Sequence, residues 1–171
     1  MSATFSPNLD ICAVDEVNNF SSKSLTHMIS IRNPGSPSAR PSWFRGSFLE
    51  LFFGDVISPA DAQNCRTLPP ATTHLKEAID FTRAAFSCLS AKTLIFCDYG
   101  ASRSPALGYV VLAAQGCPGT EAECFQRIIQ IRPDAVPNLY VIRLGDFYLS
   151  RKGALLAPCQ KYLDELFKEL T

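Results

Sequence analysis

The sequence carries no net charge, because 16 Asp and Glu balance its 16 Lys and Arg. Nucleic-acid-binding domains usually have a basic excess, so we expect no nucleic acid partner. Long apolar runs are also missing: the longest, residues 106–114, falls short of the roughly 18–20 residues that a membrane span needs. The first residues contain no basic segment followed by an apolar one, so we predict no secretory signal. We therefore expect a cytoplasmic protein without a membrane partner.

Histidine is scarce, and the cysteines form no C-x-x-C pair. A structural zinc site usually needs such pairs, so we predict neither a metal site nor another cofactor. The seven cysteines are odd in number and scattered through apolar segments, which is typical of reduced thiols rather than of a disulfide framework. Six of them are interpreted as small core residues. Cys97 is the exception.

The length of 171 residues and the hydrophobic fraction of 47% suit one compact domain, residues 1–171. Short apolar runs predict four strands, and helical spacing or helix caps predict five helices. The strands are Ile11–Val14, Met28–Ile31, Phe48–Phe53 and Thr93–Phe96. The helices are Leu75–Leu89 after a Thr72–Thr73 cap candidate, Ser104–Gln115, Thr120–Ile131 with a Thr120-x-x-Glu123 capping box, a helix capped by Asn138 that runs to about Leu149, and Cys159–Leu170. This order predicts an α/β fold with a central, mostly parallel sheet and helices on both faces.

A loop rich in Pro, Gly and Ser, residues 33–42, separates the second and third strands. It is longer than a minimal turn, and long loops in compact domains are often functional. A simple connector is the equally good alternative.

The segment from Cys97 to Ser104 holds the strongest functional signal. Five residues separate Cys97 from Arg103, with Gly100 in the middle and the hydroxyl of Ser104 after the arginine. Such an arc between a strand and a helix can point its backbone N–H groups at one centre, where the helix N-terminus adds positive potential. Gly100 supplies backbone angles that a side chain would forbid, and Arg103 offers a planar fork to two phosphate oxygens. These residues predict a phosphate cradle, Asp98, Tyr99, Gly100, Ala101, Ser102 and Arg103, with the Cys97 thiolate as nucleophile.

This motif resembles that of the cysteine-dependent protein tyrosine phosphatase superfamily, and within it the compact, bacterial-type dual-specificity-like phosphatases. Cys97, Gly100, Arg103 and Ser104 carry the resemblance, and Arg132-Pro133 followed by Pro137-Asn138 is similar to a segment downstream of that group's active site. The resemblance implies a phosphatase-like fold and a phosphocysteine intermediate. It also implies that Ser104 stabilises the Cys97 thiolate when that thiolate leaves. In one respect the sequence departs from the family, because Phe96 stands where a histidine usually precedes the cysteine.

The resemblance further implies an aspartic acid that protonates the leaving oxygen. Asp55 directly follows the third predicted strand, at the sheet edge where open α/β folds gather their sites, and is the first candidate. Asp61, in a segment that suits either a loop or a helix cap, is the alternative. Arg32 and Asn33 end the second strand at the same edge, where they either touch substrate or form an exposed ion pair. Arg132 either supports the loop from behind or caps carbonyls at a helix end.

The four variable loop positions, Asp98, Tyr99, Ala101 and Ser102, include no basic residue. A substrate with several phosphates would favour Lys or Arg there, so we predict a singly phosphorylated partner, with phosphotyrosine in a protein first. Three functions compete: a metal-independent phosphatase, a pseudophosphatase that binds phosphorylated ligands without turnover, and sulfur-transfer or redox chemistry at Cys97. Phe96 favours the second. The third is disfavoured because the loop has no second cysteine.

Overall fold

The protein is built around four parallel strands that bring their carboxyl ends to one edge. The computed structural model describes residues 8–88, 90–116 and 118–169. Its strands are β1 (Asn8–Ala13), β2 (His27–Arg32), β3 (Ser47–Phe52) and β4 (Lys92–Cys97). They are ordered β1-β4-β2-β3, and every pair is parallel. All four predicted strands are therefore confirmed, and the strand that ends at Cys97 is one of the two inner ones.

Six α-helices and one 3₁₀ helix complete the described part of the chain. The α-helices are α1 (Pro59–Asn64), α2 (Thr72–Phe86), α3 (Arg103–Gln115), α4 (Glu121–Ile131), α5 (Leu139–Tyr148) and α6 (Leu156–Glu169), and the 3₁₀ helix is Val14–Phe20. The five predicted helices are present as α2 to α6. The predicted ends at Leu89 and Leu170 lie outside the described residues.

One face of the sheet carries the main core. Ile29, Ile31 and Ile95 pack there against side chains of α2 to α6. Helix α3 is buried from Arg103 to Ala113, because the sheet covers it on one side and α2, α4 and α5 on the others. The prediction of a helix that is apolar nearly all round is confirmed.

The opposite face carries a smaller apolar cluster. Its buried members are Cys12, Val17, Met28, Phe44, Leu94 and Phe96. The 3₁₀ helix and residues 33–46, which form neither helix nor strand, cover this face. Helices were expected on both faces of the sheet. On this face, the helix that the described residues provide is the 3₁₀ helix, and the rest of the cover is irregular. The predicted loop of residues 33–42 contributes Ala39 to this cover. Directly after the loop, Trp43 packs edge-on against Phe44 and donates to Asn18 Oδ1 at 2.9 Å.

Three local details differ from the sequence predictions. The 3₁₀ helix was not predicted. For the segment around Asp61, by contrast, the helix-cap alternative is confirmed, because Ser58 caps α1 by accepting a hydrogen bond from the Asp61 N–H. The cap of α2 is Ala71, whose N–H donates to His74 Nδ1, instead of a threonine. Thr120 does precede α4, but its side chain makes no capping hydrogen bond, so the predicted capping box is wrong.

Gly100 anchors the loop between β4 and α3 to the end of β1. It has a φ of +68°, and a Cβ added to it would lie 2.6 Å from both the Ala13 nitrogen and the Cys12 carbonyl carbon. Both contacts are backbone atoms of a strand and cannot move aside. The position therefore requires glycine for its backbone angle and for space.

We predict that Gly100→Ala lowers the free energy of unfolding by about 3 kcal/mol or more, through left-handed strain and a clash with the strand. Gly153→Ala is the matched control, because Gly153 also has a positive φ, of +92°, but open space around its Cα. That variant should lose only about 1–2 kcal/mol. Urea unfolding of both variants measures the difference, and equal losses would show that the close approach to β1 contributes nothing.

Candidate active site

The segment from Cys97 to Ser104 lies at the carboxyl edge of the sheet. Cys97 is the last residue of β4, and Arg103 is the first of α3; each is only 2% exposed. Open α/β folds bind ligands at this edge. The structure therefore places the predicted strand, loop and helix as the sequence indicates.

Cys97 and Ser104 are in direct contact. The Cys97 Sγ lies 3.2 Å from the Ser104 Oγ, and both side chains are buried. Because Ser104 is in the first turn of α3, its hydroxyl and the helix N-terminus approach the sulfur from the same side. A hydroxyl at this distance can donate to a thiolate.

The loop backbone leaves N–H donors available. Val136 and Asn138 donate their own N–H groups to the carbonyls of Ala101 and Ser102, at 2.8 and 3.1 Å, and so hold the loop from outside. The N–H groups of residues 99–102 donate to no other backbone group of the described residues. Unpaired N–H groups at a helix start are suited to an anion.

Arg103 ties the loop to two neighbouring strands. Its Nη1 donates to Asn33 Oδ1 and to the Phe53 carbonyl, both at 2.9 Å, and these residues directly follow β2 and β3. The buried Nε has no hydrogen-bond partner among the described residues. A guanidinium has five N–H donors in a fixed fork, and a buried donor left unpaired is costly. The fork is therefore fixed in place with a donor left for an anion.

Asp98 bridges two guanidinium groups. Its Oδ2 accepts from Arg103 Nη2 at 2.5 Å, and its Oδ1 lies 2.7 Å from Arg32 Nε. The Arg32 and Asp98 side chains are 18% and 21% exposed. Arg32 and Asn33 thus reach the candidate site, and the predicted ion pair of Arg32 is present but partly buried rather than exposed.

Asp55 faces the loop from the segment after β3. Its Oδ1 accepts from Ser102 Oγ at 2.8 Å and from Asn138 Nδ2 at 2.7 Å, while its Oδ2 lies 3.9 Å from Arg103 Nε. The Asp61 carboxylate instead accepts from the Ile57 N–H and from Cys65 Sγ, around its own helix α1. Of the two predicted acids, the structure brings Asp55 into contact with the loop residues.

Asn138 both caps α5 and contacts the segment that carries Asp55. Its Oδ1 accepts from the Tyr140 and Val141 N–H groups, which confirms the predicted cap of α5. Its Nδ2 donates to Asp55 and to the Val56 carbonyl, so one amide both starts the helix and holds the acid segment. The sequence indicated Asn138 as a helix cap and as part of the Pro137-Asn138 resemblance, but not its contact with the acid segment, which spans some 80 residues of chain.

The remaining candidates lie outside this cluster. Arg132 pairs with Glu16 at 2.8 Å, and Glu16 in turn accepts from the Ala13 N–H at the end of β1. This contact supports the strand against which Gly100 packs. His74 caps α2 and lies against Phe53, and burial lowers its pKa.

The other cysteines differ from one another. Burial and the neighbouring Glu16 raise the pKa of Cys12 to about 12, and burial raises the pKa of Cys159 to about 12. Both are core residues, as expected. Cys65 and Cys88 are exposed, so their interpretation as core residues is wrong, and Cys117 lies outside the described residues. The Ser90 hydroxyl lowers the pKa of Cys88.

Within the described residues, no group of three or more His, Cys, Asp or Glu side chains is arranged to hold a metal ion. The same residues include no helix long and apolar enough to cross a membrane.

No protein-family model and no curated protein matches the sequence. Solved structures do match the fold. Human DUSP28 superimposes with a TM-score of 0.64 at 18% identity, over 88% of this chain and 96% of its own. DUSP15 superimposes with a TM-score of 0.61 at 19% identity, over 95% and 94% of the two chains.

A third structure, the human tyrosine phosphatase-like serine/threonine/tyrosine-interacting protein, superimposes with a TM-score of 0.62 at 16% identity, over 85% of this chain and 93% of its own. These matches cover 85–95% of this chain and 93–96% of the other chains. The chain therefore has the α/β fold of the compact dual-specificity-like proteins in the cysteine-dependent protein tyrosine phosphatase superfamily.

Proposed function

We propose that this protein is a metal-independent phosphate monoester hydrolase, a phosphotyrosine or dual-specificity protein phosphatase that works through a phosphocysteine intermediate. The observation that carries the proposal is the buried Arg103, next to the Cys97–Ser104 contact. Three of its donors are held by the protein, while its Nε has no hydrogen-bond partner among the described residues. A fixed fork beside a sulfur nucleophile is suited to bind and attack one phosphate group.

In the first step the Cys97 sulfur attacks phosphorus. The S–P bond forms, the bond from phosphorus to the substrate oxygen breaks, and Asp55 gives a proton to the leaving oxygen. The contacts of Asp55 support this role, because Ser102 and Asn138 hold one carboxyl oxygen while the other remains on the side of Arg103. Arg103 and the loop N–H groups bind the charge that develops on the phosphoryl oxygens.

In the second step water attacks the phosphocysteine. Asp55, now a carboxylate, takes a proton from the water, the S–P bond breaks, and phosphate is released. The sulfur leaves as a thiolate, which the Ser104 hydroxyl at 3.2 Å can stabilise by donating to it. Every group needed for both steps belongs to this chain.

The second candidate function is binding of phosphorylated ligands without turnover. Phe96 favours it, because its side chain lies fully buried in the smaller apolar cluster, on the sheet face opposite to Cys97, and donates nothing to the loop. The donors around the sulfur belong to the loop, to Arg103 and to Ser104, none of which depends on residue 96. This independence favours an active enzyme.

We expect the wild type to hydrolyse a generic aryl phosphate with a metal chelator present, and Cys97→Ser to show no turnover while still binding vanadate. Cys88→Ser is the matched control: it removes an exposed cysteine with a lowered pKa from the segment between α2 and β4, outside the loop, and should retain full activity. Activity in Cys97→Ser similar to that of the wild type would exclude the mechanism. An inactive wild type that binds vanadate would favour the binding function instead.

We expect Asp55→Asn to slow substrates with poor leaving groups about 100-fold or more, since only these need the proton, and good leaving groups far less. The asparagine can still accept from Ser102 and Asn138, so the fold should persist. Steady-state rates across a series of aryl phosphates measure this dependence. If Asp61→Asn gives the steep dependence and Asp55→Asn does not, the acid is Asp61.

A further inference from the structure

Asp98 occupies an unusual place for an acidic residue. It is the first residue of a loop suited to bind phosphate, yet its carboxylate lies between Arg103 and Arg32, at 2.5 and 2.7 Å. A carboxylate in a proposed anion site must compete with the anion for the same donors. Its position therefore affects which anions the site accepts.

Arg32 is the group whose availability Asp98 controls. It ends β2, next to Asn33, which contacts the guanidinium of Arg103 directly. The Arg32 side chain retains 18% of its exposure, so it borders the cleft without being sealed in the core. Without the carboxylate of residue 98, Arg32 would be a second cation beside the phosphate cradle.

Asp98 faces two cations beside the cradle. Arg32 and Arg103 each form an ion pair with its carboxylate, so Asp98 offsets part of their positive charge. Oppositely charged groups at these distances attract strongly when they are partly buried, because the effective dielectric constant there is well below that of water. Neutralising Asp98 should therefore make the electrostatic potential at the cradle much more positive.

We propose that Asp98 is a specificity-determining residue that engages Arg32 and thereby restricts the site to substrates with a single phosphate. This inference rests on the proposed function and deepens it. Arg103 binds the phosphate that reacts, through its Nε. Arg32 is held by Asp98 and is therefore not available to bind a second phosphate on the same substrate. Neighbouring phosphates on the same substrate meet the Asp98 carboxylate and are repelled.

The first test is calorimetric binding of inorganic phosphate to the wild type, Asp98→Asn, Arg32→Gln and the double variant. Asp98→Asn should bind phosphate about tenfold tighter, because neutralising the carboxylate releases Arg32. Adding Arg32→Gln to Asp98→Asn should abolish the gain, whereas Arg32→Gln alone should weaken phosphate binding, since it leaves the Asp98 carboxylate without one of its two cationic partners. Asp80→Asn removes an exposed carboxylate from α2 and controls for net charge.

Unchanged or weaker phosphate binding by Asp98→Asn would overturn the inference and make Asp98 a residue that merely orients Arg103. A gain that survives Arg32→Gln, or that Asp80→Asn reproduces, would also overturn it. The test does not depend on turnover, so an inactive wild type that shows the predicted differences contradicts only the proposed enzyme activity. Absence of phosphate binding in every variant would overturn both proposals.

The second test compares hydrolysis of a phosphotyrosine peptide with that of the same peptide carrying an additional phosphothreonine two residues away. The wild type should favour the singly phosphorylated peptide in kcat/KM, and Asp98→Asn should reduce that preference about tenfold or more. Asp98→Asn with Arg32→Gln should restore part of it. An identical preference in the wild type and in Asp98→Asn would overturn the assignment.

Discussion

The buried guanidinium of Arg103 is the interaction on which the rest of the site depends. A guanidinium is always charged, and burying it is costly unless its donors are paired. Here the partners come from three places: the residue after β2, the residue after β3, and the loop after β4. One side chain therefore holds three strand ends in a fixed arrangement. Within the described residues, the buried Nε of the same guanidinium has no hydrogen-bond partner, and it lies 3.9 Å from Asp55 Oδ2.

The sequence predicts the parts of the site that are local in the chain. Spacing alone relates Cys97, Gly100, Arg103 and Ser104, because a strand, a short arc and a helix determine their geometry. The apolar runs likewise predict all four strands, since parallel strands buried on both faces are continuously hydrophobic. The structure adds a second reason for glycine at position 100. Any side chain there would collide with the backbone at the end of β1, which lies almost 90 residues earlier in the sequence.

Contacts between distant segments are what the sequence could not predict. The sequence placed Asn33 at the site edge and Asn138 at a helix cap, but only the fold shows that Asn33 accepts from Arg103 and that Asn138 donates to Asp55. The sequence also did not predict the 3₁₀ helix or the packing of residues 33–46 on the sheet. Neither segment has a regular apolar period, yet both cover the smaller apolar cluster around Phe96. The same cluster accounts for the residue type at position 96. The aromatic side chain of Phe96 is fully buried in it, on the sheet face opposite to that of Cys97.

The central claim, covalent catalysis at Cys97, is tested most directly by rapid-quench trapping of the enzyme during turnover of an aryl phosphate. Acid quenching followed by peptide mass spectrometry identifies the residue that carries phosphorus. The account predicts a phosphoryl group on Cys97, formed within one turnover and lost as phosphate is released. Turnover with no phosphorylated protein, or with phosphorus on any residue other than Cys97, would contradict it.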